Sequence, residues 1–212
     1  MNDHGHTLRP LLTAVAVCAI ALSLQGCIPA LVVTGAAGAG EVAAQDRSLG
    51  NAVDDADIRL ALDNIYIDQD WRDLFKNVTI TVTEGRVMLT GDVDKPQTKV
   101  EAVRLAWTVN GVREVIDELQ VNDKSGLVDY ARDSWIDMQI RTKFLFEKDL
   151  RSVNYNVETV NGVVYLMGIA QNQDELNKAT YIASTVPYVQ KVVSHVILRD
   201  DPRRKLDAVP KQ

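Results

Sequence analysis

Acid–base chemistry near neutral pH falls first to imidazole, and the chain holds three histidines, His4, His6 and His195. His4 and His6 precede an apolar run at the N-terminus, which leaves His195 alone in the part of the chain that has a folding pattern. It sits in the alternating run Val192-Val193-Ser194-His195-Val196, where a solvated strand histidine is expected rather than a base. Carboxylates are numerous but scattered, as in Asp54-Asp55 and Asp68-Gln69-Asp70, and solvation or helix capping accounts for them. A carboxylate pair set for glycoside hydrolysis would need a deeper cleft than small sheets usually hold. The sequence has no G-x-S-x-G elbow, no H-E-x-x-H helix and no Cys/His cluster with metal spacing. Gly35, Gly38 and Gly40 fit neither the dinucleotide nor the P-loop spacing, so no phosphate loop is expected. These residues predict a protein that is not an enzyme and takes no metal or cofactor.

The remaining reactive group is the thiol of Cys27. Leu11 to Leu24 is a short apolar run after a weakly basic start with Arg9, well below the roughly 20 residues that span a bilayer as a helix. That is the pattern of an export signal. It runs into Leu24-Gln25-Gly26-Cys27, which resembles the lipobox of bacterial lipoproteins, where a thioether lipid is added to the cysteine and the chain is cut just before it. Residues 1–26 are therefore read as signal peptide and Cys27 as the lipidation site, carrying acyl chains such as palmitate. Cys18 leaves with the signal, so the mature chain has no second cysteine for a disulfide. Ile28 rather than Asp follows Cys27, which in lipoproteins of enterobacterial type implies the outer membrane, on its periplasmic face. Residues 27–50 are small, apolar and glycine-dotted, a flexible linker. Residues 200–212, with Arg203-Arg204-Lys205, read as a disordered polar tail. A net charge of -6 argues against nucleic acid, which needs clustered cations.

The rest of the chain is one unit written twice. Residues 58–121 match 136–198 through every element. Val82 to Gly91 and Thr159 to Gly168 align without a gap, each as two β-rich runs around a Glu-Gly or Asn-Gly turn, a strong hairpin signal. Ahead of each lies a helix-period segment, Ile58-Leu62-Ile65 and Ile136-Ile140-Phe144. Behind each lies a second helix: Pro96 to Val109, with Val100, Val103 and Trp107 on one face, and Gln173 to Val186, with Leu176, Ala179 and Ala183. A short strand closes each copy. The unit is αββαβ, and a helix between the second and third strands implies a crossover onto the same sheet. The expected fold is α+β: two tandem units, residues 51–122 and 123–199, each a three-stranded mixed sheet covered by two helices.

The strand ends Val87-Met88-Leu89-Thr90-Gly91 and Val164-Tyr165-Leu166-Met167-Gly168, with Gly111-Val112-Arg113-Glu114-Val115 and Tyr188-Val189-Gln190-Lys191-Val192 before the last strands, resemble the BON domain. In the second copy Tyr188 stands where glycine is usual. With Leu-Gln-Gly-Cys and Asp46-Arg47-Ser48-Leu49-Gly50 ahead of them, the two copies look like the dual BON-domain outer-membrane lipoproteins.

The two leading helices differ on their outer sides. The first shows Arg59 and Asp63 opposite its apolar face, as an ordinary surface helix does. The second shows Trp135, Met138 and Leu145, with Phe146 beside them. A helix apolar on two sides buries both, so the outer stripe should meet the first domain, a protein partner or a membrane. Arg132, Arg141, Lys143 and Lys148 surround it, interleaved with Asp133, Asp137, Glu147 and Asp149. The family resemblance implies contact with anionic phospholipid by this helix, with Trp135 and Leu145 at the matching positions. The charges add Arg141, and the stripe adds Met138 and Phe146. The expected function is maintenance of outer-membrane integrity by a lipid-anchored, phospholipid-binding protein. The alternative is an adaptor for outer-membrane assembly or division proteins.

Overall fold

The computed structural model describes residues 49–68, 75–122 and 127–204. Cys27 and the apolar segment before it, the linker through residue 48, and residues 205–212 lie outside the described residues. The element order is α1 (Leu49–Ile67), β1 (Val78–Thr83), β2 (Arg86–Val93), α2 (Pro96–Ala106) and β3 (Glu114–Val121), then α3 (Leu127–Phe146), β4 (Tyr155–Val160), β5 (Val163–Ala170), α4 (Gln173–Ser184) and β6 (Lys191–Leu198). Each half has a three-stranded sheet with its second strand central, antiparallel to the first and parallel to the third. The doubled αββαβ unit is thus as expected. The second unit's leading helix starts earlier than its inward set Ile136, Ile140 and Phe144 suggests, at Leu127.

Both hairpins close through two residues with positive φ, Glu84 (53°) and Gly85 (71°), and Asn161 (51°) and Gly162 (76°), the geometry that matches strand twist. Farther along each second strand a glycine is obligatory. A Cβ on Gly91 would stand 1.9 Å from the Asn77 carbonyl oxygen, and one on Gly168 at the same distance from that of Asn154.

Each sheet turns one face to its helices. Ile58, Leu62, Tyr66, Ile80, Val87, Leu89, Ala102 and Leu119 form the first core. Ile136, Ile140, Phe144, Val157, Val164, Leu166, Ala179 and Ala183 form the second. On α2 the buried residues are Thr98, Ala102, Leu105 and Ala106; of the apolar face expected from the sequence, Val103 packs partly against the core while Val100 and Trp107 are exposed. The reason is closeness: Ala102 and Ala106 let the helix backbone lie against its neighbours, and the Tyr66 hydroxyl donates to the Ala102 carbonyl at 2.7 Å.

The other faces of the two sheets pack on each other. Met88, Ile116, Tyr165 and Met167 are buried there, with Val160, Val163 and Val193 at the margin. Polar bonds frame this contact. Asn161 Nδ2 donates to Asp92 Oδ1 and Gln120 Oε1, both at 3.0 Å, and Arg86 donates to the His195 carbonyl at 3.0 Å. The layers therefore run helices, sheet, sheet, helices.

His195 departs from the solvated strand position expected of it. Its Nε2 lies 2.8 Å from Glu118 Oε1 of the first unit. The tail departs as well, up to Arg204. Its guanidinium reaches both carboxylate oxygens of Glu84 at 2.8 and 2.9 Å, and the Glu84 side chain is only 2% exposed. A buried carboxylate needs such a partner, which ties the chain just past β6 back to the first hairpin.

Candidate interaction surface

The second turns of α1 and α3 each sink one carboxylate into a hairpin turn. Asp55 accepts from Glu84 N at 2.8 Å and Gly85 N at 2.7 Å. Asp133 accepts from Asn161 N at 2.6 Å and Gly162 N at 2.9 Å. Sequence reasoning took Asp55 for a solvated or capping residue and Asp133 for one of the charges around the stripe. The signal that would have separated them is the repeat itself, since they occupy matching places in the two copies. With each leading helix fixed to its hairpin, the outer face of that helix is fixed too.

On α3 the inward face is Ile136, Ile140 and Phe144, and the opposite side carries the expected stripe. Trp135 is 36% exposed, Met138 53%, Leu145 68% and Phe146 79%. The first domain is reached through the sheets, so the domain-contact alternative for this stripe falls away. Trp135 packs edge-on against Tyr188 of the α4–β6 turn, with ring centroids 5.8 Å apart.

The first copy's outer helix face is less ordinary than expected. Val53, Leu60 and Ile67 are exposed along it at seven-residue spacing. By helical periodicity Leu60 and Ile67 match Met138 and Leu145. The copies differ where Asp57 and Asp68 stand in the places of Trp135 and Phe146. One helix carries a narrow apolar line edged with acid, the other a broad apolar stripe.

Charges around the stripe are mostly settled within the protein. Asp133 is held by turn amides, Asp129 pairs with Arg132 at 3.0 Å, and Lys178 takes Glu147 at 3.3 Å and Asp149 at 2.7 Å. Arg141, expected to meet phosphate, is the exception among the five expected contact residues. Its guanidinium donates to the Val157 carbonyl and lies 3.9 Å from Asp137 and 3.7 Å from Glu158. Lys143 and Lys148 have no carboxylate partner among the described residues, and they are the cations left beside the stripe.

Asp137 and Glu158 line an acidic cleft of about 760 Å³ between the two halves, with Asp92, Asp129 and Lys76 on its walls. Burial pushes the Asp137 carboxyl up to about 6, against a hydrogen bond from Thr159. Burial and the neighbouring Asp137 push Glu158 up to about 7. Arg141 and Arg59 oppose this, and Arg59 itself donates to the Ile80 carbonyl at 2.6 Å. Among the described residues no group of three or more His, Cys, Asp or Glu side chains could hold a metal ion.

Two copies of one α+β fold, joined sheet to sheet and differing in what their leading helices display, define a tandem-repeat protein. The chain belongs to the BON-domain family, whose model matches residues 54–123 and 132–200. It is 32% identical over 187 residues, 88% of this chain and 96% of the relative, to the outer membrane lipoprotein DolP of Haemophilus influenzae. It is 35% identical over 148 residues to the osmotically-inducible protein Y of Escherichia coli, covering 68% of this chain and 72% of that protein. An uncharacterized protein in the gshII 5' region of Anaplasma centrale is 44% identical over 133 residues, 62% of this chain and 88% of that protein.

Proposed function

We propose that the chain is a lipid-anchored protein of the periplasmic face of the outer membrane, attached through Cys27. In this reading its second BON domain adds a weak contact with anionic phospholipid, and its role is structural upkeep of that membrane without catalysis. The observation that carries this reading is the exposed stripe Trp135, Met138, Leu145 and Phe146 on α3, which the contact between domains leaves uncovered. Apolar residues with an indole at the edge suit the interface between headgroups and acyl chains. Lys143 and Lys148 supply charge for lipid phosphate in place of Arg141. Similarity over most of the chain to a protein named as an outer membrane lipoprotein supports the location, as does Leu24-Gln25-Gly26-Cys27. A weak surface contact suffices when a covalent anchor holds the domain at high effective concentration.

The test is sedimentation of the unlipidated 28–212 chain, which holds every described element, with anionic and with zwitterionic vesicles. Binding is expected to the anionic vesicles, to weaken with salt, and to be lost in Trp135→Glu. Absence of binding by the unaltered chain under all conditions would overturn the lipid reading. The acid-edged line Val53, Leu60 and Ile67 on α1 favours a second role, docking of a protein partner at the first domain. An acidic edge repels anionic lipid and suits a basic helix.

A further inference from the structure

Three non-glycine residues have positive φ among the described residues: Glu84, Asn161 and Tyr188. The first two sit in hairpin turns that demand it. Tyr188, at 70°, does not. In the first domain the matching position is Gly111, with φ 92°, so this turn runs left-handed in both copies and only the second gives it a side chain. An aromatic residue held there costs about 1–2 kcal/mol. Burial does not offset that, because Tyr188 is 67% exposed. Its ring lies instead on the edge of Trp135.

The turn is anchored from below. Gln190 N donates to the Gly162 carbonyl at 2.8 Å, and Gln190 Nε2 to the Asn161 carbonyl at 3.2 Å. The amides of Asn161 and Gly162 are in turn held by Asp133, two residues before Trp135. Trp135 and Tyr188 therefore stand on one closed hydrogen-bonded frame of α3, hairpin and turn, which presents both rings together. The first domain has the frame without the rings: Asp55 holds its hairpin, Arg113 N donates to the Gly85 carbonyl at 2.8 Å, and Asp57 and Gly111 occupy the ring positions.

We propose that Tyr188 is a lipid-contacting residue in its own right and forms with Trp135 a preorganised two-ring anchor at the headgroup level of a phospholipid bilayer. This rests on the lipid reading above. A bilayer is the occupant favoured because the pair continues the α3 stripe without a break, and because both rings join an apolar body to a polar tip, the chemistry of interfacial anchors.

Tyr188→Gly copies the first domain, removing ring and strain together, so it separates contact from folding. The 28–212 chain carrying it should keep or raise its urea midpoint while losing affinity for anionic vesicles by roughly five- to tenfold. Tyr188→Phe, which keeps a ring, should retain most of the binding. Tyr188→Asn tolerates the left-handed backbone and should behave as the glycine variant does. Undiminished binding by Tyr188→Gly, with Trp135→Glu still defective, would overturn the two-ring anchor and leave the lipid reading standing. A loss of binding that tracks a falling midpoint in both the glycine and asparagine variants would overturn it as well. Failure of the unaltered chain to bind would remove both proposals.

Discussion

Asp137 and Glu158 set a pH dependence that runs opposite to that of most paired carboxylates. Their folded-state values, about 6 and about 7, lie above those of the unfolded chain. The folded protein thus holds more protons than the unfolded one between roughly pH 4 and 7, and stability falls as pH rises through that window. Below it both states are protonated and the contribution is fully present. Glu158→Gln removes the larger share of the effect. It should raise stability at pH 7.5 by on the order of 1 kcal/mol and leave it nearly unchanged at pH 4.5, as read from urea midpoints at the two pH values. None of this was legible in the sequence, where Asp137 and Glu158 are two acids among many. Their proximity exists only once α3 crosses the edge strand β4, where Arg141, itself half exposed, reaches the same place.

Elements in this protein are positioned by turns as much as by cores. Asp133 ties α3 to its hairpin through two amides, and Asp133→Ala leaves both donors buried without their charged acceptor. It should cost about 2–3 kcal/mol in denaturant unfolding and weaken vesicle binding by loosening the frame under Trp135. The element order was readable because hairpin signals and helix periods recur in register. The face of α2 was not. Val100, Val103 and Trp107 are the more apolar choice, but a helix lying close against its neighbours puts alanine inward, and size rather than hydropathy decided the orientation. The α3 stripe was readable for the converse reason: an inward set was already complete without Trp135, Met138, Leu145 and Phe146.

At the scale of the molecule, a doubled unit of this size is expected either to pack on its twin or to stay joined through the segment near residues 122–133, but which faces meet is not legible. Met88, Ile116, Tyr165 and Met167 alternate along their strands as outward-facing residues do, and nothing in one copy announces that its open face meets the other copy. The strap from the C-terminal segment was equally hidden, because Arg204 lies in a polar stretch with the composition of a loose end. Arg204→Ala deprives the buried Glu84 carboxylate of its partner. It should lower the melting temperature by an amount equivalent to about 2–3 kcal/mol, as read from thermal unfolding.

The layered order helices, sheet, sheet, helices also gives the protein a height. With about 10 Å between layers, the stack stands roughly 40 Å tall. One helix pair, α1 with α2, covers one outer side of that stack, and α3 with α4 covers the other. The two leading helices thus leave different faces uncovered, a narrow acid-edged line on α1 and a broad apolar stripe on α3. Duplication of one unit has in this way supplied two unlike surfaces on a single rigid stack.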